Sequence, residues 1–182
     1  MRKWIQLFAF TIVLEHLNTV LCLTIPFRRG PDTCADPSLA EVYFAGFSPS
    51  NTAHILQRMY SFVHTNTHGG DWQIQRDIFQ AWGSPQEFTV PLYALLNPQT
   101  TDFIYIVSTN GNPPIADGFQ ALGPVANVYS TQVCGSVPLF VLAEPDAGDH
   151  WYTTLASERD DFVSLGWIDS GIAAYVLPPS SW

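Results

Sequence analysis

Apolar residues gather along this chain in short runs closed by proline, and three of the runs share one pattern: Val42 to Pro49 (VYFAGFSP), Pro91 to Pro98 (PLYALLNP) and Pro138 to Pro145 (PLFVLAEP). Each carries an aromatic five residues before its last proline, at Phe44, Tyr93 and Phe140. Runs of this length and composition predict strands. After a short turn comes a second apolar-aromatic segment, His54 to Leu56, Phe103 to Val107 and His150 to Thr153. Each pair therefore reads as a β-hairpin. Asp146-Ala147-Gly148-Asp149 has the glycine and aspartates such a turn prefers, whereas Ser50-Asn51-Thr52 and Gln99-Thr100-Thr101 are merely compatible.

A second anchor follows in the same order, with the pattern Asp-x-Phe-x-x-(Leu/Trp)-Gly: Asp77 to Gly83, Asp117 to Gly123 and Asp160 to Gly166. It reads as a helix. In the first copy Asp71 caps a segment from Trp72 to Trp82, with Ile74, Ile78, Phe79 and Trp82 on one face and Gly83 as the stop. The third helix runs from Ala156 to Leu165. The second, with Pro113-Pro114 before it and Gly118 within, is expected to be shorter or irregular. On this alignment Phe79, Phe119 and Phe162 are equivalent and buried, beside Trp82, Leu122 and Leu165. Glu87 to Val90, Val125 to Tyr129 and Ile172 to Leu177 supply a last strand. The expected fold is α+β and β-rich, three degenerate repeats of roughly 47 residues in the order β-β-α-β around a pseudo-threefold axis, trefoil-like or like a small propeller.

Met1-Arg2-Lys3 and the apolar run from Trp4 to Leu14 have the charged and hydrophobic regions of a secretory signal peptide, with Val20 and Cys22 able to stand at the cleavage site. The expected organisation is a signal peptide at 1–22, an arm at 23–33 and one three-repeat domain at 34–182, secreted and extracellular. Arg28-Arg29 reads either as a dibasic processing point or, in preference, as two solvated arginines. Removing the signal leaves Cys34 and Cys134, an even pair that a secreted chain is expected to join as a disulfide.

Charge then narrows the partners. The 182 residues carry 16 Asp and Glu against 7 Lys and Arg, a net charge of -9. Nucleic acid and anionic membrane surfaces both need a basic footprint, so neither is an expected partner once the signal is removed. A glycan or an extracellular protein is.

The third unit, PLFVLAEPDAGDHWYTTLASERDDFVSLGWIDSGIAAYVLP, resembles the repeat PLYRLYNP…GDHFYTT…ERD…GW…EGIAGYV of secreted fungal and bacterial proteins grouped as domain of unknown function 5648. The resemblance covers residues 34 to 182 and is strongest at 137 to 178. It implies an extracellular, surface or glycan-binding role by analogy with proteins that sometimes accompany carbohydrate-active enzymes. The first two repeats depart from the pattern, since Ala53 and Leu56 stand where Asp149 and Tyr152 do and Phe103 replaces the histidine.

Asp149, His150, Trp151 and Tyr152 form the most site-like cluster, with Asp102 as the equivalent of Asp149. A carboxylate beside an exposed indole holds a sugar by accepting hydroxyl hydrogen bonds and covering its C–H face. Strand alternation sets Asp149 and Trp151 on one face and His150 and Tyr152 on the other, and the competing reading makes Asp149 a turn residue and Trp151 core. Asp77, Asp117 and Asp160 suggest a carboxylate ring or, in preference, three helix caps. His64 and His68 have the spacing of a helical metal pair, but the threonines between them and Gly69-Gly70 argue for a polar loop. No nucleophile elbow, zinc-protease or phosphate-loop motif is present, and no catalytic residue, metal or cofactor is expected. The expected function is a secreted, non-catalytic binding module for carbohydrate of a cell wall or glycoconjugate. The alternatives are an extracellular hydrolase with a scattered carboxylate pair and a structural or effector protein that captures a partner.

Overall fold

A computed structural model describes residues 34–179. The expected signal peptide, the arm and Arg28-Arg29 lie outside the described residues. The described residues form three antiparallel sheets of three strands each, consistent with three similar units. In the first, β1 (Glu41–Ser48) lies between β2 (Ala53–Arg58) and β3 (Gln73–Ala81); in the second, β4 (Val90–Leu96) lies between β5 (Phe103–Val107) and β6 (Gln120–Val128); in the third, β7 (Val137–Glu144) lies between β8 (Asp149–Thr153) and β9 (Ile168–Val176). The proline-closed runs are thus the central strands, and the expected hairpins form. Two helices, α1 (Met59–Thr67) and α2 (Ala156–Ser164), follow β2 and β8.

Register fixes which residues correspond. Tyr43, Leu92 and Leu139 pair with Phe79, Ala126 and Ala174, and in every sheet a bulge follows this pair and another lies two residues on. The equivalents of Phe79 are therefore alanines. Phe119 and Phe162 belong elsewhere: Trp72, Phe119 and Trp167 each stand immediately before the third strand of their unit. This corrects the expected alignment. Leu122 and Leu165 are exposed at 58% and 78%, while Trp82 is fully buried.

The expected helix over 72–82 is instead β3. Each bulge inserts a residue and breaks the two-residue alternation of a strand, so the buried Ile78, Phe79, Ala81 and Trp82 imitate helical spacing. The helix of this unit lies upstream, at α1, where His64 sits; the loop expected there is corrected. The second unit has no helix among the described residues, only a turn at 117–118. Glu87 to Val90 is the entry to β4 rather than a closing strand, and the other two expected closing strands are the second halves of β6 and β9.

The ends of β3, β6 and β9 join the units. Gln80 exchanges backbone hydrogen bonds with Leu177, Asn127 with Trp82, and Tyr175 with Tyr129, the same two register positions used in cyclic order. Beneath this ring Ala81, Val128 and Val176, equivalent by register, are all fully buried in one cluster. A second cluster unites Trp82 and Tyr129 with Ala35. The Trp82 indole donates to the Asp36 carbonyl at 2.7 Å and the Tyr129 hydroxyl accepts from the Ala35 N–H at 3.0 Å. Cys34 and Cys134, with Cα atoms 5.7 Å apart, are joined in the expected disulfide.

The first unit solves one packing problem differently. Leu95 and Leu142 are fully buried at corresponding positions of β4 and β7, where β1 has Gly46. A Cβ on Gly46 would lie 2.3 Å from the ring of Phe62, which is itself fully buried. Phe62 of α1 fills the space that leucine fills elsewhere.

Candidate functional site

Residues at the start of the hairpin strands cross from one unit to the next. Ala53, Asp102 and Asp149 are equivalent, as are His54, Phe103 and His150. His54 Nδ1 lies 2.6 Å from Asp149 Oδ2, and the His54 backbone N–H donates to Asp149 Oδ1 at 3.1 Å. His150 Nδ1 lies 2.8 Å from Asp102 Oδ2. By the same cyclic order the third pair is Phe103 with Ala53, so the acid and the imidazole are missing together. Asp149 is 5% exposed and spends both carboxylate oxygens on His54.

Two residues beyond the histidines and Phe103, the equivalent residues Leu56, Tyr105 and Tyr152 are buried in one cluster. The Tyr105 hydroxyl accepts from the Leu56 N–H at 2.7 Å and donates to its carbonyl at 3.3 Å, and the Tyr152 hydroxyl accepts from the Tyr105 N–H at 3.0 Å. Burial pushes both phenols above the ordinary tyrosine range. Trp151 is buried, touches the edge of His54 and stacks on Phe162 of α2 at 5.1 Å.

Asp77, Asp117 and Asp160 do not come together as equivalents: Asp77 pairs with Phe44 in β3, Asp117 is an exposed turn residue, and Asp160 lies in α2 bonded to Arg159. This corrects both the ring and the three-cap reading. His64 and His68 face each other at 4.5 Å at the end of α1, with His68 Nδ1 2.7 Å from the His64 carbonyl. No group of three metal-ligating side chains occurs among the described residues.

Between the units lie clefts. The first, about 360 Å³, runs between the first and second units and is lined by Gln57, Trp72, Phe103, Tyr105 and the bulged stretch Leu122 to Val125. The second, about 330 Å³, separates the second and third units and is lined by Ile104, Ile106, His150, Tyr152, Ser170 and Ile172. These are corresponding places, since Gln57 matches Ile106, Phe103 matches His150 and Leu122 matches Ser170. At the third junction Arg76 takes the position of Gly123 and Gly171. Its Nη2 donates to Thr153 Oγ1 at 3.2 Å and pairs with Glu158, which also accepts from Thr153. The Thr154 hydroxyl donates to the Ile78 carbonyl at 3.2 Å across the same junction. That place is spanned by side chains.

Among the described residues, no Asp, Glu, Lys or Arg lines either open cleft. In the first, the Gln57 side-chain oxygen is buried with no hydrogen-bond partner among the described residues. Trp72 and Phe103 meet edge to face at 6.1 Å beside it. Of the residues expected at a site, His150 and Tyr152 line the second cleft, while Asp149, Trp151 and Asp102 do not line either. Nothing local in the sequence marks Gln57, Trp72 and Phe103, because a glutamine and two separated aromatics carry no motif. The usable signal was the glycine shared by Gly123 and Gly171 but not by Arg76.

These features belong to a β-rich chain of three similar units with open clefts at two of the junctions. A family model described as Domain of unknown function (DUF5648) matches residues 42–177, and the chain belongs to that family. Comparison with curated proteins and with solved structures finds no match.

Proposed function

We propose that this chain is a secreted, non-catalytic binding module for neutral carbohydrate, its three units arranged as blades around a pseudo-threefold axis and its principal site in the cleft between the first and second. One observation carries the reading: an aromatic-walled cleft with no charged lining among the described residues holds a buried side-chain carbonyl oxygen with no donor among them. A sugar ring offers apolar C–H faces for Trp72 and Phe103 and hydroxyl donors for Gln57. The cleft volume is within the range of small-molecule sites. Phosphates, charged peptides and nucleic acid would each need a countercharge that the cleft lacks. An extracellular hydrolase has less support, because Asp102 and Asp149 are each tied to a histidine of a neighbouring unit. The Asp149 site expected from sequence is replaced in this reading by the cleft, since its carboxylate is already engaged.

Gln57→Leu tests it with opposite signs. Removing an unsatisfied buried oxygen should leave stability unchanged or raise it by roughly 1 kcal/mol. The same change should weaken binding about tenfold, the effect of losing one hydrogen bond of roughly 1.4 kcal/mol. Denaturant unfolding and titration calorimetry with the best ligand from a glycan array measure the two. Unchanged affinity would remove Gln57, and with it the cleft, from the site.

A further inference from the structure

We infer that the chain is bivalent, with a second neutral-sugar site in the cleft between the second and third units, where His150 is the hydrogen-bonding group. The inference rests on the carbohydrate reading of the first cleft and goes beyond it in the number of sites and in the residue that serves the second. The two clefts correspond at most of their lining positions, Trp72 and Thr65 of the first having no counterpart in the second, and differ by only about 30 Å³, from about 360 to about 330. Both have glycine, Gly123 and Gly171, at the register position where the third junction has Arg76. Gly123 lines the first cleft and Gly171 stands between Ser170 and Ile172 of the second; glycine has no side chain to cross the gap, whereas the guanidinium of Arg76 reaches Thr153 and Glu158 and bridges it.

The chemistry at the second site is not a copy of the first. Ile106 replaces Gln57, so the buried carbonyl is lost, and His150 replaces Phe103. Asp102, 4% exposed, holds His150 Nδ1 at 2.8 Å and so fixes the ring, while Nε2 makes no hydrogen bond to a described residue. The exposed Ser170 adds a hydroxyl on the bulge. In the closed third junction the corresponding His54 has Gln75 Nε2 at 3.5 Å from its Nε2 and lies between Phe47 and Trp151. The same imidazole is thus used within the protein at one junction and presented at another. Aliphatic walls backed by Tyr105 and Tyr152, with one oriented imidazole and the Ser170 hydroxyl, suit a sugar edge rather than an ion.

Amide chemical shifts of the full chain, disulfide intact, should be followed while the trimers of β-1,4-linked glucose, β-1,4-linked N-acetylglucosamine and α-1,6-linked mannose are each added at millimolar concentration. At least one trimer should shift two separate sets of amides, around Gln57 and Val125 and around Ile106 and Ile172, with independent saturation. His150→Asn keeps a donor for Asp102 and removes Nε2; it should weaken only the second set, about tenfold. Ser170→Trp, at an exposed position, should abolish that set by filling the cleft and leave the first unchanged. Shifts confined to the first cleft would overturn bivalency while sparing the carbohydrate reading. No shift at either cleft with any trimer would overturn both.

Discussion

The junction between the first and second units is held differently from the other two. Where His54 meets Asp149 and His150 meets Asp102, this junction has Phe103 opposite Ala53, so both polar partners are gone at once. In their place the Tyr43 hydroxyl donates to the Val125 carbonyl at 2.9 Å, while the residues matching Tyr43 are Leu92 and Leu139. One cyclic architecture therefore accepts a polar or an apolar solution, provided each is complete. Removing one member of a buried polar pair strands the other, whereas replacing both by apolar groups of similar shape is often neutral.

The largest expected effect tests how the first unit departs from its neighbours in the core. Phe62→Ala should cost roughly 3 to 5 kcal/mol in denaturant unfolding, the usual range for a fully buried phenylalanine. Gly46→Leu alone should also be destabilising, because its side chain meets the Phe62 ring. The two changes together give the first unit the leucine of the others. A double variant no more stable than Phe62→Ala would show that α1 does more than occupy this space. Phe79→Ala belongs to the same range, since Phe79 is fully buried and stacks on Tyr43 at 5.0 Å.

Next come the junctions themselves. Asp102→Ala should cost roughly 1.5 to 3 kcal/mol by leaving His150 without its acceptor. The double change Asp102→Ala with His150→Phe imitates the apolar junction and should return to within about 1 kcal/mol of the parent. Additive losses in that cycle would mean that Phe103 and Ala53 are tolerated only by their own surroundings.

The central strands and their hairpins were legible because proline, aromatic and turn residues recur at one spacing: Phe44, Tyr93 and Phe140 follow at 49 and 47 residues. The second anchor misleads for a reason visible in the same numbers. Asp77, Asp117 and Asp160 follow at 40 and 43, out of step, whereas Trp72, Phe119 and Trp167 follow at 47 and 48. Helix α1 escaped notice because Arg58 precedes it without a side-chain cap and most of its apolar residues are exposed. The prominence of Asp149 was legible; its partner, 95 residues away at His54, was not, since cyclic closure brings together positions that no local pattern relates. The disulfide was within reach because cysteine parity does not depend on the path between them.

The smallest effect concerns Tyr43, and pH gives it a signature. Its phenol is pushed up from 10 to about 12, chiefly by burial, with Arg58 lowering it and Glu41 raising it less strongly. A raised folded-state value means that the neutral form is favoured in the native protein. The resulting stabilisation is complete below about pH 10 and is lost as pH climbs from there through about 12. Tyr43→Phe keeps the stack on Phe79 and removes only the hydrogen bond to Val125, so at neutral pH it should cost about 1 kcal/mol. Above pH 10 the parent should lose stability faster than the variant and the two melting curves should converge. Tyr105 and Tyr152 titrate in both proteins, so the difference between the curves isolates Tyr43. A constant gap across that range would mean that the Tyr43 hydroxyl titrates as it does in the unfolded chain.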